Sequence, residues 1–152
     1  MRSLWRVLLL ASVLAFLAPA AATAEDPLNL SELQGNVVVL DFWASWCVPC
    51  RRSFPWLNKM HTKYAENGLV IVGINLDAQP SDAAAFLEKY PAAFQIHYDT
   101  DAVLATKFEL QGMPSSVVIG RDGRIMARHV GFKVKRQDEY EAILVEALGE
   151  NP

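Results

Sequence analysis

The sequence predicts an α/β fold in which a central mixed sheet is flanked by helices. Short apolar runs alternate along the chain with segments whose apolar residues recur at helical spacing, a pattern typical of parallel strands joined by crossover helices. Near the end of the chain, two strand-like runs flank a turn that contains Asp122-Gly123, and this pair is typical of β-hairpins. Parallel strands closed by an antiparallel hairpin therefore predict a mixed sheet with helices packed on it.

Each element follows from the residue pattern, in chain order. The first strand, Val37–Trp43, and the second, 69–76, are apolar enough to be covered on both faces. Between them, the spacing of apolar residues predicts a helix over 47–66. The hairpin strands are Ser115–Ile119 and Ile125–Val130. The other predicted elements are a helix over 81–90 with Ser81 as its N-cap, a short strand over 96–98, a short helix over 102–108 and a last helix over Gln137–Leu148.

The only two cysteines, Cys47 and Cys50, stand two residues apart directly after the first predicted strand. At the start of a helix this spacing places both sulfurs on one face, near enough to form a small disulfide. Cys47 is the favoured thiolate, because unpaired N–H groups and the positive end of the helix dipole stabilise an anion there. Cys50, one turn deeper, is expected to stay protonated and to act second. The pair therefore predicts a redox dithiol that exchanges with substrate disulfides.

Other interpretations of the cysteine pair are a zinc half-site and a plain stabilising disulfide. Zinc takes about four ligands, but the chain has no second cysteine pair, and His61, His97 and His129 lack ligand spacing. A disulfide across so short a loop would constrain little of the unfolded chain. Because two thiols suit Cu(I), a copper-handling module remains a rival, and so does a disulfide-forming oxidase or isomerase. Neither a metal site nor a small-molecule cofactor is predicted.

Asp41 is a carboxyl group in an otherwise apolar strand, six residues before Cys47. Burial there would raise its pKa until the group exchanges a proton near pH 7. Asp41 is therefore the predicted relay for the proton that Cys50 must lose. The alternative is a strand-end carboxylate that reaches water or caps a neighbouring N–H.

The stretch Asp-Phe-Trp-Ala-Ser-Trp-Cys-Val-Pro-Cys at 41–50 resembles the active-site segment of thioredoxins. Pro55 is similar to the proline that kinks the active-site helix of that family, and Gly-Met-Pro-Ser at 112–115 is similar to the segment before the penultimate strand. The resemblance implies a thioredoxin fold and a cis peptide bond at Pro114 that faces the dithiol. It also implies that the backbone of Met113 pairs with an extended substrate peptide.

Protein disulfides are the predicted substrates, bound by an apolar strip around the cysteines. Trp46 stands beside the nucleophile, Pro49 lies between the two cysteines, and Met113 with Pro114 is expected opposite them. The family resemblance implies a membrane thiol relay as the electron donor.

Residues 36–148 resemble one branch of the superfamily, the exported TlpA-like and ResA-like thiol-disulfide reductases, more closely than thioredoxin itself. The similarity lies in Phe-Trp-Ala-Ser-Trp-Cys at 42–47, in the strand over 72–77 with an extra helix after it, and in 98–101. The resemblance implies that the helix over 81–90 is an insertion after the second core strand. It also implies disulfide reduction in exported proteins, and members of the branch include reductants for cytochrome c maturation.

The chain differs from many members of this branch in the acidic residue near the cysteines. Many members have asparagine at the position of Asp41, and several use a glutamate from the inserted segment, which is absent here from 75–80. Asp77 lies in that segment, but a loop aspartate before a helix is typical of a turn or cap. Asp41 therefore stays the predicted acid.

Residues 1–24 resemble a secretory signal. Two arginines precede an apolar core at 7–17, and Ala-Thr-Ala at 22–24 is a small-residue cleavage site. The predicted organisation is thus a cleaved signal over 1–24 and one thioredoxin-like domain over 25–152, located in the periplasm. A membrane anchor over 7–23 is the alternative.

Cleavage of this signal would leave 12 basic and 17 acidic side chains and a formal charge of −5, because the segment contains two of the 14 basic residues and no acid. The mature chain is mildly acidic and has no basic run. Binding to nucleic acid is therefore not predicted.

Overall fold

Five strands and four α-helices form the part of the chain that the computed structural model describes, residues 28–149. The strands are β1 (Val37–Trp43), β2 (Leu69–Asn75), β3 (Gln95–Tyr98), β4 (Ser115–Ile119) and β5 (Ile125–Val130). The helices are α1 (Cys50–Tyr64), α2 (Pro80–Lys89), α3 (Val103–Lys107) and α4 (Gln137–Leu148). Short 3₁₀ turns cover Leu30–Leu33, Ala65–Asn67 and Val134–Arg136. The predicted signal over 1–24 lies outside the described residues and stays a prediction.

The strands form one sheet in the order β3-β2-β1-β4-β5. β1, β2 and β3 are parallel, whereas β4 runs antiparallel to β1 and β5 antiparallel to β4. Helix α2 lies between β2 and β3 in the chain, which is the predicted insertion. The predicted mixed sheet of a thioredoxin fold is therefore confirmed.

Alternation along β1 divides the core into two layers, because successive side chains of a strand point to opposite faces. Val39 and Trp43 belong to a cluster that includes the buried sides of α1, α2 and α4. Leu40 and Phe42 belong to a second cluster that includes the buried residues of α3. All seven residues of β1 are buried, so the central strand anchors both layers and holds its carboxyl end in a fixed place.

The predicted start of the first helix is wrong. Helix α1 begins at Cys50 rather than at Cys47, because the chain from 47 to 52 closes hydrogen bonds of the i to i+3 type. The amide N–H of Cys50 donates to the carbonyl of Cys47 (3.1 Å), and Pro49 immediately precedes the helix with helical dihedral angles. Cys47 therefore lies in a turn in front of the helix. Pro55 lies inside α1, as the family resemblance implies.

The predicted cap of the inserted helix is also wrong. Helix α2 begins at Pro80, so Gln79 and not Ser81 is its N-cap, and no side chain in the described part of the protein caps it. Proline suits the first helical position because its fixed φ is helical and its missing N–H would be unpaired there. Ser81 is thereby placed inside the first turn. The other predicted bounds agree with the structure within one or two residues.

No helix within residues 28–149 has both the length and the apolar character needed to cross a bilayer.

Candidate active site

Cys47 and Cys50 form a disulfide at the carboxyl end of the central strand. Their Cα atoms are 5.4 Å apart. Cys50 has no exposed surface, whereas Cys47 keeps 4% of its surface exposed. Cys47 is therefore the cysteine that a macromolecular substrate can approach, and Cys50 is shielded behind it.

Exposed apolar surface surrounds the disulfide. Trp46 is 66% exposed and Val48 57% exposed, and Pro49 is partly exposed. These side chains flank the accessible cysteine in the chain, and exposed apolar residues that cluster in this way are typical of an interaction site. Trp43, by contrast, is fully buried, with its ring 5.0 Å from that of Phe54.

The segment before β4 lies beside this surface. Since β4 is antiparallel to β1, its first residue, Ser115, pairs with Phe42 near the end of β1. Met113 and Pro114, which immediately precede β4, are thereby placed next to the loop that contains the cysteines. The Met113–Pro114 peptide bond is cis, as the resemblance implies. Met113 packs against the core cluster that contains Cys47, and Pro114 is buried.

Asp77 holds the loop in front of the cysteines. The parallel register places Trp43 opposite Asn75, so the carboxyl ends of β1 and β2 meet at the same edge. The buried Asp77 carboxylate accepts hydrogen bonds from the N–H of Ser45 (2.9 Å), from its hydroxyl (2.8 Å) and from the Asn75 amide (2.8 Å). These contacts fix the residue that precedes Trp46. The predicted role of a turn or cap residue is wrong, because the carboxylate bonds to the active-site loop and to Asn75, and Gln79 is the N-cap of the next helix.

Asp41 is buried under the helix layer that holds the cysteines. Asp41 lies on the same face of β1 as Val39 and Trp43, because it is two residues from each. Both of these residues belong to the same core cluster as Cys50. The Ser116 hydroxyl donates to Oδ1 (2.7 Å), and Oδ2 has no protein partner among the described residues. Burial raises the pKa of Asp41 from 3.8 to about 7, an effect that the Ser116 hydrogen bond partly opposes. The carboxyl group is almost completely shielded from solvent, and it can gain or lose a proton near neutral pH.

No three His, Cys, Asp or Glu side chains come close enough to hold a metal ion in the described part of the chain.

A five-stranded mixed sheet, a Cys-X-X-Cys disulfide at the end of its central strand and a cis proline beside it define a thioredoxin-fold protein. The chain belongs to the Redoxin family, whose model matches residues 11–144. This result, together with the relatives described next, confirms the predicted thioredoxin-like superfamily and its ResA-like and TlpA-like branch.

The thiol-disulfide oxidoreductase ResA of Bacillus cereus is 29% identical over 112 residues, which cover 74% of this chain and 65% of ResA. The chain thus spans slightly less than two thirds of the length of this relative. A crystal structure from Chlorobium tepidum, provisionally designated thiol:disulfide interchange protein DsbE, is 44% identical with a TM-score of 0.77, and the match covers 79% of this chain and 85% of that one. A solution structure from Bacteroides thetaiotaomicron, provisionally designated a protein disulfide isomerase, is 28% identical with a TM-score of 0.72 and coverages of 80% and 79%.

Proposed function

We propose that this protein is an exported thiol-disulfide oxidoreductase that reduces disulfides in other exported proteins through Cys47 and Cys50. The observation that carries the proposal is the Cys47–Cys50 disulfide at the end of β1, with Cys50 buried and apolar surface exposed around Cys47. The likeness to ResA and to the Chlorobium structure supports the same chemistry.

In the first step, the thiolate of reduced Cys47 attacks one sulfur of the substrate disulfide. A bond forms between Cys47 and that sulfur, the substrate S–S bond breaks, and the second substrate sulfur leaves as a thiolate. Cys47 is suited to this role because it is the more exposed cysteine and lies in front of α1. The positive end of the helix dipole stabilises an anion at that position.

In the second step, Cys50 resolves the mixed disulfide. Its thiol gives a proton to the ionised Asp41 carboxylate, and the resulting thiolate attacks the sulfur of Cys47. The Cys47–substrate bond breaks, and the substrate leaves as a thiolate. The substrate has gained two electrons, and the protein is left with the Cys47–Cys50 disulfide. A carboxyl group with a pKa of about 7 suits this exchange, because it is easily ionised and easily protonated at neutral pH.

The substrate peptide is proposed to bind in an extended form along the cis-proline segment. The backbone of Met113 would pair with it as an added strand. Trp46 and Pro49 would contribute the exposed apolar surface around the scissile disulfide, and the buried Pro114 would support the segment with which the peptide pairs. Recognition of this kind depends mainly on backbone contacts, so it suits a range of protein disulfides.

Export is proposed from the composition of residues 1–24, whose removal would leave 25–152 in the periplasm. A membrane anchor over 7–23 would place the same domain on the same side of the membrane. From the branch resemblance, apocytochrome c is a candidate substrate and a membrane thiol relay the candidate electron donor.

A disulfide oxidase or isomerase is the second candidate function. The Bacteroides structure, provisionally designated a protein disulfide isomerase, favours it. The same site would then exchange in the opposite direction, and the reduction potential separates the two. A Cu(I)-binding module is the third candidate, and it predicts metal in the purified reduced protein.

A Cys50→Ser variant is expected to trap Cys47 on its substrate, because the resolving thiol is removed while the attacking one is kept. Reduced Cys50→Ser protein, incubated with envelope extract, should give mixed-disulfide adducts on a non-reducing gel that dithiothreitol releases. The matched Cys47→Ser variant should give few or none, since Cys50 is buried. Equal adduct yields from both variants, or none from either, would contradict the proposed order of attack.

A further inference from the structure

Asp41, Ser116 and His129 form a row across three neighbouring strands. The register pairs Asp41 of β1 with Ser116 of β4, and Ser116 with His129 of β5. Directly paired residues of adjacent strands point to the same face of a sheet. All three side chains therefore lie on the face that α1 and α4 cover, in a line from the central strand to the sheet edge.

Polar atoms along this row are open to further hydrogen bonds. The Ser116 hydroxyl donates to Asp41 (2.7 Å). Nε2 of His129 is buried and, like Oδ2 of Asp41, has no protein partner within residues 28–149. His129 as a whole is only partly buried, since β5 is an edge strand. The imidazole thus has one nitrogen in the interior and part of its surface at the outside of the protein.

A small cavity lies along the outer half of the row. It measures about 20 Å³ and is lined by Ser116 and His129 together with Trp56, Tyr140 and apolar neighbours. A volume of roughly 10–15 Å³ is enough for one water if polar partners are present. The Ser116 hydroxyl and the His129 imidazole are such partners, so one water can join them by hydrogen bonds.

We propose that Ser116 and His129 form the route by which the proton that Asp41 receives from Cys50 leaves for solvent. This inference rests on the proposed function and adds to it a proton-transfer residue on β5. When Asp41 is protonated, the Ser116 hydroxyl turns from Asp41 toward the cavity water. Asp41 then gives its proton to the Ser116 oxygen, Ser116 passes its own hydroxyl hydrogen to the water, and the water passes one of its hydrogens to Nε2 of His129. The imidazole releases one proton to bulk solvent. Asp41 is left ionised, and no electrons move in this part of the cycle.

The surroundings of His129 favour a neutral imidazole that can accept this proton. Burial lowers its pKa, and the positive charge of Arg136 lowers it further. Arg136 is itself paired with Glu139 (2.7 Å). The ring of Tyr140 on α4 lies 4.9 Å from the imidazole. On β4 the cross-strand partner of His129 is Ser116, which carries no charge. On β1 the cross-strand partner of Ser116 is Asp41.

The first test measures the pKa of Asp41 by ¹³C NMR of its carboxyl carbon in the oxidised protein, where no exchange chemistry occurs. A His129→Leu variant is expected to raise that pKa by about half a unit to one unit, because an apolar side chain replaces the imidazole and the water beside Ser116 and so deepens the desolvation of the carboxylate. The matched control is His97→Leu. Nε2 of His97 is also buried and has no protein partner among residues 28–149, but His97 lies in β3 at the other edge of the sheet. An unchanged Asp41 pKa in His129→Leu, or equal shifts in both variants, would overturn the proposal.

The second test is the pH profile of disulfide exchange with a model peptide disulfide. His129→Leu is expected to slow exchange by about 3- to 10-fold at pH 6–7, which is a smaller effect than the loss of a general base. Above about pH 8.5 the variant should exchange at the same rate as the unmutated protein. In a Ser116→Ala background the same change should have no further effect, because the route is already broken. Uniform slowing at every pH, or full additivity in the double variant, would count against the route. If the unmutated protein shows no exchange, the proposed function is wrong. If it exchanges normally but His129→Leu leaves the pKa of Asp41 unchanged, only the role of His129 is wrong.

Discussion

Replacement of Asp41 by asparagine is expected to stabilise the protein at pH 8 by about 3 kcal/mol and to slow thiol–disulfide exchange by about 10²-fold. The stability gain follows from the pKa of Asp41, which burial raises from 3.8 to about 7. Between these two values the folded protein holds a proton that the unfolded chain has lost, so stability falls as the pH rises through this window. Above pH 7 the folded state must hold a buried, ionised carboxylate.

The size of the gain follows from the same pKa values. A pKa raised from 3.8 to about 7 corresponds to about 4 kcal/mol, and an unpaired asparagine N–H at the position of Oδ2 would take back about 1 kcal/mol. Exchange slows because Cys50 loses the group that receives its proton. The measurement is urea unfolding of both proteins at pH 4 and pH 8, with exchange rates alongside.

The Asp101→Asn variant is the matched control, since Asp101 is exposed and its replacement should change stability by less than about 0.5 kcal/mol at either pH. The difference in stability between the Asp41→Asn variant and the unmutated protein should depend on pH. If it is equal at pH 4 and pH 8, the pKa of Asp41 is not raised. A variant that is stabilised but exchanges at the normal rate would show that Asp41 is not the acceptor of the Cys50 proton.

Replacement of Asp77 by alanine is expected to destabilise the protein by about 3 kcal/mol or more, since hydrogen bonds to a charged group contribute about 1.5–3 kcal/mol each. The change removes three such bonds and leaves the N–H of Ser45 and the amide of Asn75 without their acceptor. The loop before Trp46 would lose its anchor to β2. Exchange should therefore slow, although both cysteines and Asp41 are intact. Denaturant unfolding at pH 7 measures the first effect and peptide-disulfide reduction the second.

Asp77→Asn is the control that separates hydrogen bonding from charge. Asparagine has the same shape, can accept from the Ser45 N–H and can donate to the Ser45 hydroxyl, so it should retain most of the stability and most of the exchange rate. Destabilisation by Asp77→Ala of less than about 1 kcal/mol would contradict the role of Asp77 in holding the loop. Equal losses in both variants would mean that its charge, not its hydrogen bonds, matters there.

Most of the fold could be predicted from the sequence because its signals are local or periodic. The uninterrupted apolar runs of β1 and β2 indicated covered strands, and the Asp-Gly turn indicated the β4–β5 hairpin. The start of α1 could not be predicted, because i to i+3 hydrogen bonds around Cys47 compete with the helix in a way that residue type does not encode. Likewise, helix α2 starts at Pro80, earlier than predicted, so Ser81 lies inside the helix and not at its cap.

The candidate site divides in the same way. The cysteine pair was evident from spacing, and Asp41 from its polarity in an apolar strand. The partners of these groups were not evident, because they depend on which strands are neighbours and in what register. Asp77 reaches Ser45 because the ends of β1 and β2 coincide, and Ser116 meets Asp41 only in the observed antiparallel pairing.

The most direct test of the proposed redox chemistry is the equilibrium reduction potential of the Cys47–Cys50 pair. It is titrated in thiol redox buffers and followed by the fluorescence of Trp46, which lies beside the disulfide, with alkylation of free thiols as a check. A reversible two-electron couple at about −270 mV or lower is expected for a reductase. A couple at about −120 to −180 mV would contradict reduction and favour an oxidase or isomerase. The absence of any reversible couple would contradict dithiol exchange itself.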